Sequence, residues 1–62
     1  MQTDDLQIQW LDSSGWSTTS LIDGGAKMNG QMIQLAMQDV QRRMPGKRIR
    51  AVDGDGRLVD ML

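Results

Sequence analysis

The sequence predicts an α+β domain of order β-β-α-β-β, a four-stranded, mainly antiparallel sheet with one helix packed on one face. Three observations predict it. Two stretches fold back on themselves at a glycine-bearing turn, and the segment between them spaces its apolar residues at the period of a helix.

In the first stretch, Leu6, Ile8 and Trp10 alternate with Gln7, Gln9 and Leu11, the pattern of a strand over about 5–12 with one buried side. Ser13-Ser14-Gly15 is a turn. The Ser- and Thr-rich run over 16–22 is the second strand, broken by Asp23-Gly24-Gly25. With Gly15 in the left-handed position of a type I turn plus bulge, Asp12 is expected to pair with Trp16. That register gathers Leu6, Ile8, Trp10, Trp16, Thr18 and Ile22 on one side.

From about 29 to 44 the period changes, with Met32, Ile33, Ala36, Met37, Val40 and Met44 at i, i+3, i+4 spacings. Asn29 is the N-cap, Arg42 and Arg43 complement the dipole of the last turn, and Pro45-Gly46 stops the helix. Gln31, Gln34, Gln38 and Gln41 form the wet side. Met28, Met32, Met37 and Met44 read as core filling rather than as an adaptable groove, because thioethers fit irregular gaps. Leu35, at the edge of the apolar arc, is the helix residue expected to be left for a partner.

The second hairpin comprises strands over about 47–53 and 57–62 around Gly54-Asp55-Gly56, where glycine supplies the positive φ of a tight connection. A three-residue loop pairs Asp53 with Arg57, Val52 with Leu58, Ala51 with Val59, Arg50 with Asp60 and Ile49 with Met61. This gathers Ile49, Ala51, Val59 and Met61 and opposes unlike charges; a two-residue loop would set Ile49 against Asp60. Asp53-Gly54-Asp55-Gly56 resembles the start of a calcium loop only superficially. Arg57 stands where the third acidic ligand belongs, and no Glu closes the site.

At 62 residues the chain is expected to form a single domain, 1–62, burying only about 60 % of the surface its unfolded form exposes. It has no Cys for a disulfide, and neither His nor Cys for zinc or the later transition metals, so no metal and no cofactor are expected. A second subunit or an efficient core is the remaining source of stability. Apolar runs reach only two or three residues, too short to span a membrane. Met1-Gln2-Thr3-Asp4-Asp5 lacks the features of a secretory signal, which makes a cytoplasmic location the expectation.

Catalysis is not expected either. His, Cys, Tyr and Glu are absent, leaving Asp, Lys, Ser and Thr among the usual acids, bases and nucleophiles, and no phosphate-binding loop is present. The function expected is therefore that of a small non-catalytic protein-interaction domain, an accessory or regulatory factor that self-associates as a homodimer. The sheet face away from the helix would carry Leu11, Leu21, Val52, Leu58 and Leu62 among Gln7, Gln9, Thr19, Arg48, Arg50 and Asp60, an apolar surface suited to a protein partner. Against this stands the ordinary occurrence of scattered surface aliphatics.

Charge supplies the alternative. The net charge is −1, yet residues 1–41 hold one base against five acids, while residues 42–62 hold six bases against three acids. Arg42, Arg43, Lys47, Arg48 and Arg50 are candidates for nucleic-acid contact. Asp53, Asp55 and Asp60 weaken that reading. So does the placement of both aromatics, Trp10 and Trp16, in the other hairpin, where core packing is expected of them.

Overall fold

A computed structural model describes residues 3–62; Met1 and Gln2, part of the stretch read above for a targeting signal, lie outside the described residues. The elements are β1 (Leu6–Asp12), β2 (Gly15–Ile22), a 3-10 turn (Gly25–Lys27), α1 (Gly30–Arg43), β3 (Ile49–Asp53) and β4 (Leu58–Met61). They form the expected α+β arrangement. The sheet is antiparallel throughout, in the order β2-β1-β3-β4, with α1 packed against one face.

Each hairpin joins the sheet through its own inner strand. Leu6 pairs with Asp53, Ile8 with Ala51 and Trp10 with Ile49, so β1 and β3 lie side by side. Paired residues share a face. Leu6, Ile8, Ile49 and Ala51 thus point together at the helix, which lowers Ile33, Met37 and Val40 onto them; all seven are buried. Trp10, Ile22, Ala26, Met28, Ala36 and Met44 pack around this core.

The helix begins where expected. The Asn29 side chain accepts the Met32 N–H at 2.9 Å, replacing one of the helical hydrogen bonds that the first turn lacks. Arg42 and Arg43 in the last turn both pair with Asp39 at 3.0 Å, on the exposed side. Met37 is fully buried, whereas Met32 is 50 % exposed and does not serve as core filling. Leu35 is 52 % exposed. Two residues beyond Ile33, it lies about 200° around the helix, and so it sits on the far side rather than at the edge of the apolar arc.

The first hairpin departs from the expected register. Asp12 pairs with Gly15, not with Trp16, and Leu11 pairs with Trp16. The cause is local. The Asp12 carboxylate accepts the Ser14 N–H at 2.7 Å, the Ser14 hydroxyl at 2.8 Å and the Ser17 hydroxyl at 2.6 Å, which draws the turn in around it. Trp16 and Thr18 therefore face away from the helix. A bulge opposite Ile8 and Gln9 leaves Thr19 unpaired and restores the phase, so that Ile22 still pairs with Leu6 on the core side.

The second hairpin follows its expected course at the loop and then diverges. The Asp53 N–H donates to the Arg57 carbonyl at 2.9 Å, and Gly56, at φ 85°, closes the turn with its N–H on the Asp53 carbonyl. Val52 pairs with Leu58 as expected. A bulge at Val59 then sets Ala51 against Asp60 and Arg50 against Met61. The expected pairs Ala51–Val59, Arg50–Asp60 and Ile49–Met61 do not form. Asp60 turns its carboxylate onto the Met61 N–H at 2.8 Å, a local bond that competes with the regular ladder. Val59 and Met61 remain 37 % and 39 % exposed instead of joining Ile49 and Ala51 in the core.

After β2 the chain packs tightly. The Gly24 N–H donates to the Asp5 carboxylate at 3.0 Å, and the Ala26 N–H donates to the Asp4 carbonyl at 2.8 Å. A Cβ on Gly25 would stand 2.7 Å from the Leu6 Cβ and 2.9 Å from the Ile22 Cβ. Gly25→Ala is expected to destabilise the domain by about 1–3 kcal/mol through overpacking. Gly30→Ala, which meets nothing within 4 Å at the first helical position, is expected to leave stability unchanged or raise it by up to about 1 kcal/mol. Urea unfolding of the two variants checks the contrast.

Asp12 gives the fold a pH dependence. Its hydrogen bonds from Ser17 and Ser14 hold the carboxyl below its ordinary value of 3.8. A group whose folded value is depressed stabilises the fold above its unfolded value, and that contribution disappears as pH falls through the folded one. Thermal melts between about pH 5 and pH 2 should therefore show a smaller acid-induced fall in Tm for Asp12→Asn than for the parent chain.

Candidate functional site

The outer face of the sheet is assembled in cross-strand rows. Leu21, Gln7, Val52 and Leu58 form one row across the four strands, and Thr18, Gln9, Arg50 and Met61 form the next. Trp16 and Leu11 follow, with Arg48 beside them, its carbonyl accepting the Leu11 N–H at 3.0 Å.

Of the expected interface residues, the structure brings Leu11, Leu21, Val52 and Leu58 onto this face. Leu62 does not join them. Its N–H donates to the Ile49 carbonyl at 3.1 Å, which places it opposite a residue of the core side. The bulges also exchange polar neighbours: Thr18 stands on the face instead of Thr19, and Asp60 moves to the helix side with Ala51 while Met61 takes its place. Exposure divides the apolar members. Val52 is 1 % exposed, already covered by its own chain, and Leu11 is half-buried; Leu21 at 51 % and Leu58 at 59 % remain open to solvent.

A polar ladder runs through the middle. Gln7 Nε2 donates to the Asp53 carbonyl at 3.0 Å, the Thr18 hydroxyl donates to Gln7 Oε1 at 3.2 Å, and Gln9 Nε2 donates to Thr18 Oγ1 at 3.1 Å. Arg50 Nε donates to Gln9 Oε1 at 2.8 Å. This last bond orients the guanidinium, whose centre lies 4.2 Å from the centre of the Trp16 ring. Arg50 thus crosses β1 to reach β2.

This contact reverses one expectation from the sequence. The sequence places both tryptophans in the core, apart from the basic segment. Trp10 does pack against the core, but Lys47 Nζ lies 5.6 Å from its ring centre, and Trp16 is on the open face under Arg50. The one-residue change in hairpin register is what turns Trp16 outward. No signal in the sequence identified it beyond the Asp-Ser-Ser-Gly turn itself.

The basic candidates divide in turn. Arg42 and Arg43 are occupied by Asp39 on the helix, whereas Lys47, Arg48 and Arg50 stand at the Trp10–Trp16 end of the sheet and form no ion pair among the described residues. On the helix, an open depression of about 350 Å³ is lined by Leu35, Gln38, Gln41 and Arg42. Those groups supply no nucleophile or general base for chemistry. Among the described residues no three His, Cys, Asp or Glu side chains gather to hold a metal ion, and no helix is long and apolar enough to cross a membrane.

Comparison with protein-family models, with curated proteins and with solved structures gives no match to this chain.

Arg50→Ala is expected to lower stability by about 1 kcal/mol through loss of the cation–π contact and of stem packing. Denaturant unfolding followed by tryptophan emission checks this, because the variant also alters the surroundings of Trp16.

Proposed function

We propose that this chain is a small non-catalytic protein-interaction domain that acts as an accessory or regulatory factor and pairs with a second copy of itself through the outer face of the sheet. The observation that carries this reading is the exposure of Leu21 and Leu58 at the two ends of one cross-strand row, with Met61 exposed in the next. Apolar side chains exposed on both edge strands of one sheet face favour association with another apolar surface.

Size supports the face rather than a strand edge. A standard interface buries about 800 Å² per partner, roughly a fifth of the 3957 Å² that this chain exposes. On a body measuring 27 × 24 × 14 Å, a broad face supplies that area most readily. The edge at β4 is unsuited to strand addition: it is four residues long and bulged, and the Asp60 carboxylate occupies the Met61 N–H.

The missing His, Cys, Tyr and Glu support a role without catalysis. A cytoplasmic setting belongs to the same proposal, favoured by the absence of cysteine from the sequence.

Sedimentation velocity at two protein concentrations tests the proposal. The dimer fraction should rise with concentration, and Leu58→Asp should abolish it while leaving the unfolding midpoint nearly unchanged at concentrations where the parent is monomeric, since Leu58 is exposed in the single chain. A chain that remains monomeric at high concentration overturns the reading, as does a Leu58→Asp variant that dimerises as well as its parent.

A further inference from the structure

From the Trp16–Arg50 stack and the free cations beside it, we infer that the Leu11–Trp16 end of the outer sheet face binds single-stranded nucleic acid, with a base on the stack and its phosphates on Arg48, Arg50 and Lys47. Single-strand binders combine planar groups on which any base can stack with cations that follow the backbone. This end of the sheet holds both. The Arg50 guanidinium lies 4.2 Å from the Trp16 ring centre and is fixed by its Nε bond to Gln9 Oε1, while its terminal nitrogens make no hydrogen bond among the described residues. A guanidinium held in that manner offers one plane to a base and its outer N–H groups to a phosphate.

Arg48 is exposed and stands just ahead of β3, where its carbonyl continues the ladder to the N–H of the outward-facing Leu11. Lys47 lies around the end of the sheet, over Trp10. None of the three cations is neutralised by an ion pair among the described residues. The closest acids along the strands are otherwise engaged or turned away: Asp12 is held by Ser14 and Ser17, and Asp60 pairs with Ala51 on the helix side. Arg42 and Arg43 take no part, because Asp39 occupies them. With a net charge of −1 the whole chain exerts little long-range pull on a polyanion, so the local cluster must supply the affinity.

The site shares the outer face with the proposed dimer: Arg50 lies two residues along β3 from Val52, about 7 Å away, and stands opposite Met61. Self-association would therefore cover part of the site, and a monomeric Leu58→Asp variant should bind at least as well as its parent.

The test uses oligothymidylate and oligouridylate at low salt. Binding is read by anisotropy of the labelled strand and by emission of a Trp10→Phe variant, in which Trp16 is the remaining tryptophan. The expected result is saturable binding with a change in Trp16 emission. Affinity should fall about 100-fold for a tenfold rise in salt if three phosphates are neutralised. It should also fall roughly tenfold or more in Trp16→Ala. Arg48→Gln, whose parent side chain holds no partner among the described residues, should weaken binding without altering the unfolding curve. Failure of both oligonucleotides to bind at low salt overturns the inference. So does equal binding of polyglutamate, an acidic polymer without bases, or an affinity unchanged by both Trp16→Ala and Arg48→Gln.

Discussion

The pairing of β1 with β3 is the constraint on which the rest of the structure depends. Each hairpin alone is a two-stranded ribbon, too small to be stable in water. Only when Leu6, Ile8 and Trp10 come level with Asp53, Ala51 and Ile49 does a continuous apolar floor exist for the helix to cover. Because β2 and β3 are both antiparallel to β1, they run parallel to each other, and the chain must cross over β1 between them. The helix makes that crossing. It then seals the floor with Ile33, Met37 and Val40.

So small a core leaves little tolerance, and the tightness at Gly25 is one expression of it. The segment after β2 closes the β1 end of the core through the Gly24 N–H on the Asp5 carboxylate and the Ala26 N–H on the Asp4 carbonyl. A side chain at Gly25 would force Leu6 and Ile22 apart. The same economy holds on the outer face, where Val52 is buried without any contribution from the helix layer, leaving Leu21 and Leu58 as the exposed ends of its row. The surplus of apolar surface is thus narrower than the full set of outward aliphatics. It is concentrated at the two edges of the sheet.

Bulges decide what that face can do. One opposite Ile8 and Gln9 keeps Ile22 in the core while allowing Trp16 and Thr18 to point outward, and another at Val59 exchanges Asp60 for Met61. Without the first, Trp16 would lie under the helix and Arg50 would have no ring to cover. Without the second, Arg50 would face Asp60. At the turn ahead of the first bulge the Asp12 carboxylate accepts the Ser14 N–H and the Ser17 hydroxyl, and at the second the Asp60 carboxylate accepts the Met61 N–H.

The sequence by itself determined the order of elements, the helix with its Asn29 cap, the glycine-closed loop at Asp53–Arg57 and the dominance of Leu6, Ile8, Ile49 and Ala51 in the core. These follow from hydrogen bonds and apolar spacings that span a few residues, which a sequence states directly. Leu11, Leu21, Val52 and Leu58 were legible as outward positions for the same reason. Only the tertiary structure decided the strand order, the phase of the first ribbon between its turn and its bulge and of the second beyond its bulge, the loss of Leu62 from the outer face and the stacking of Arg50 on Trp16. A single inserted residue reverses which face a side chain takes. Whether the insertion occurs depends on competition between a short side-chain bond and a distant strand, and that balance is struck only when the strands meet.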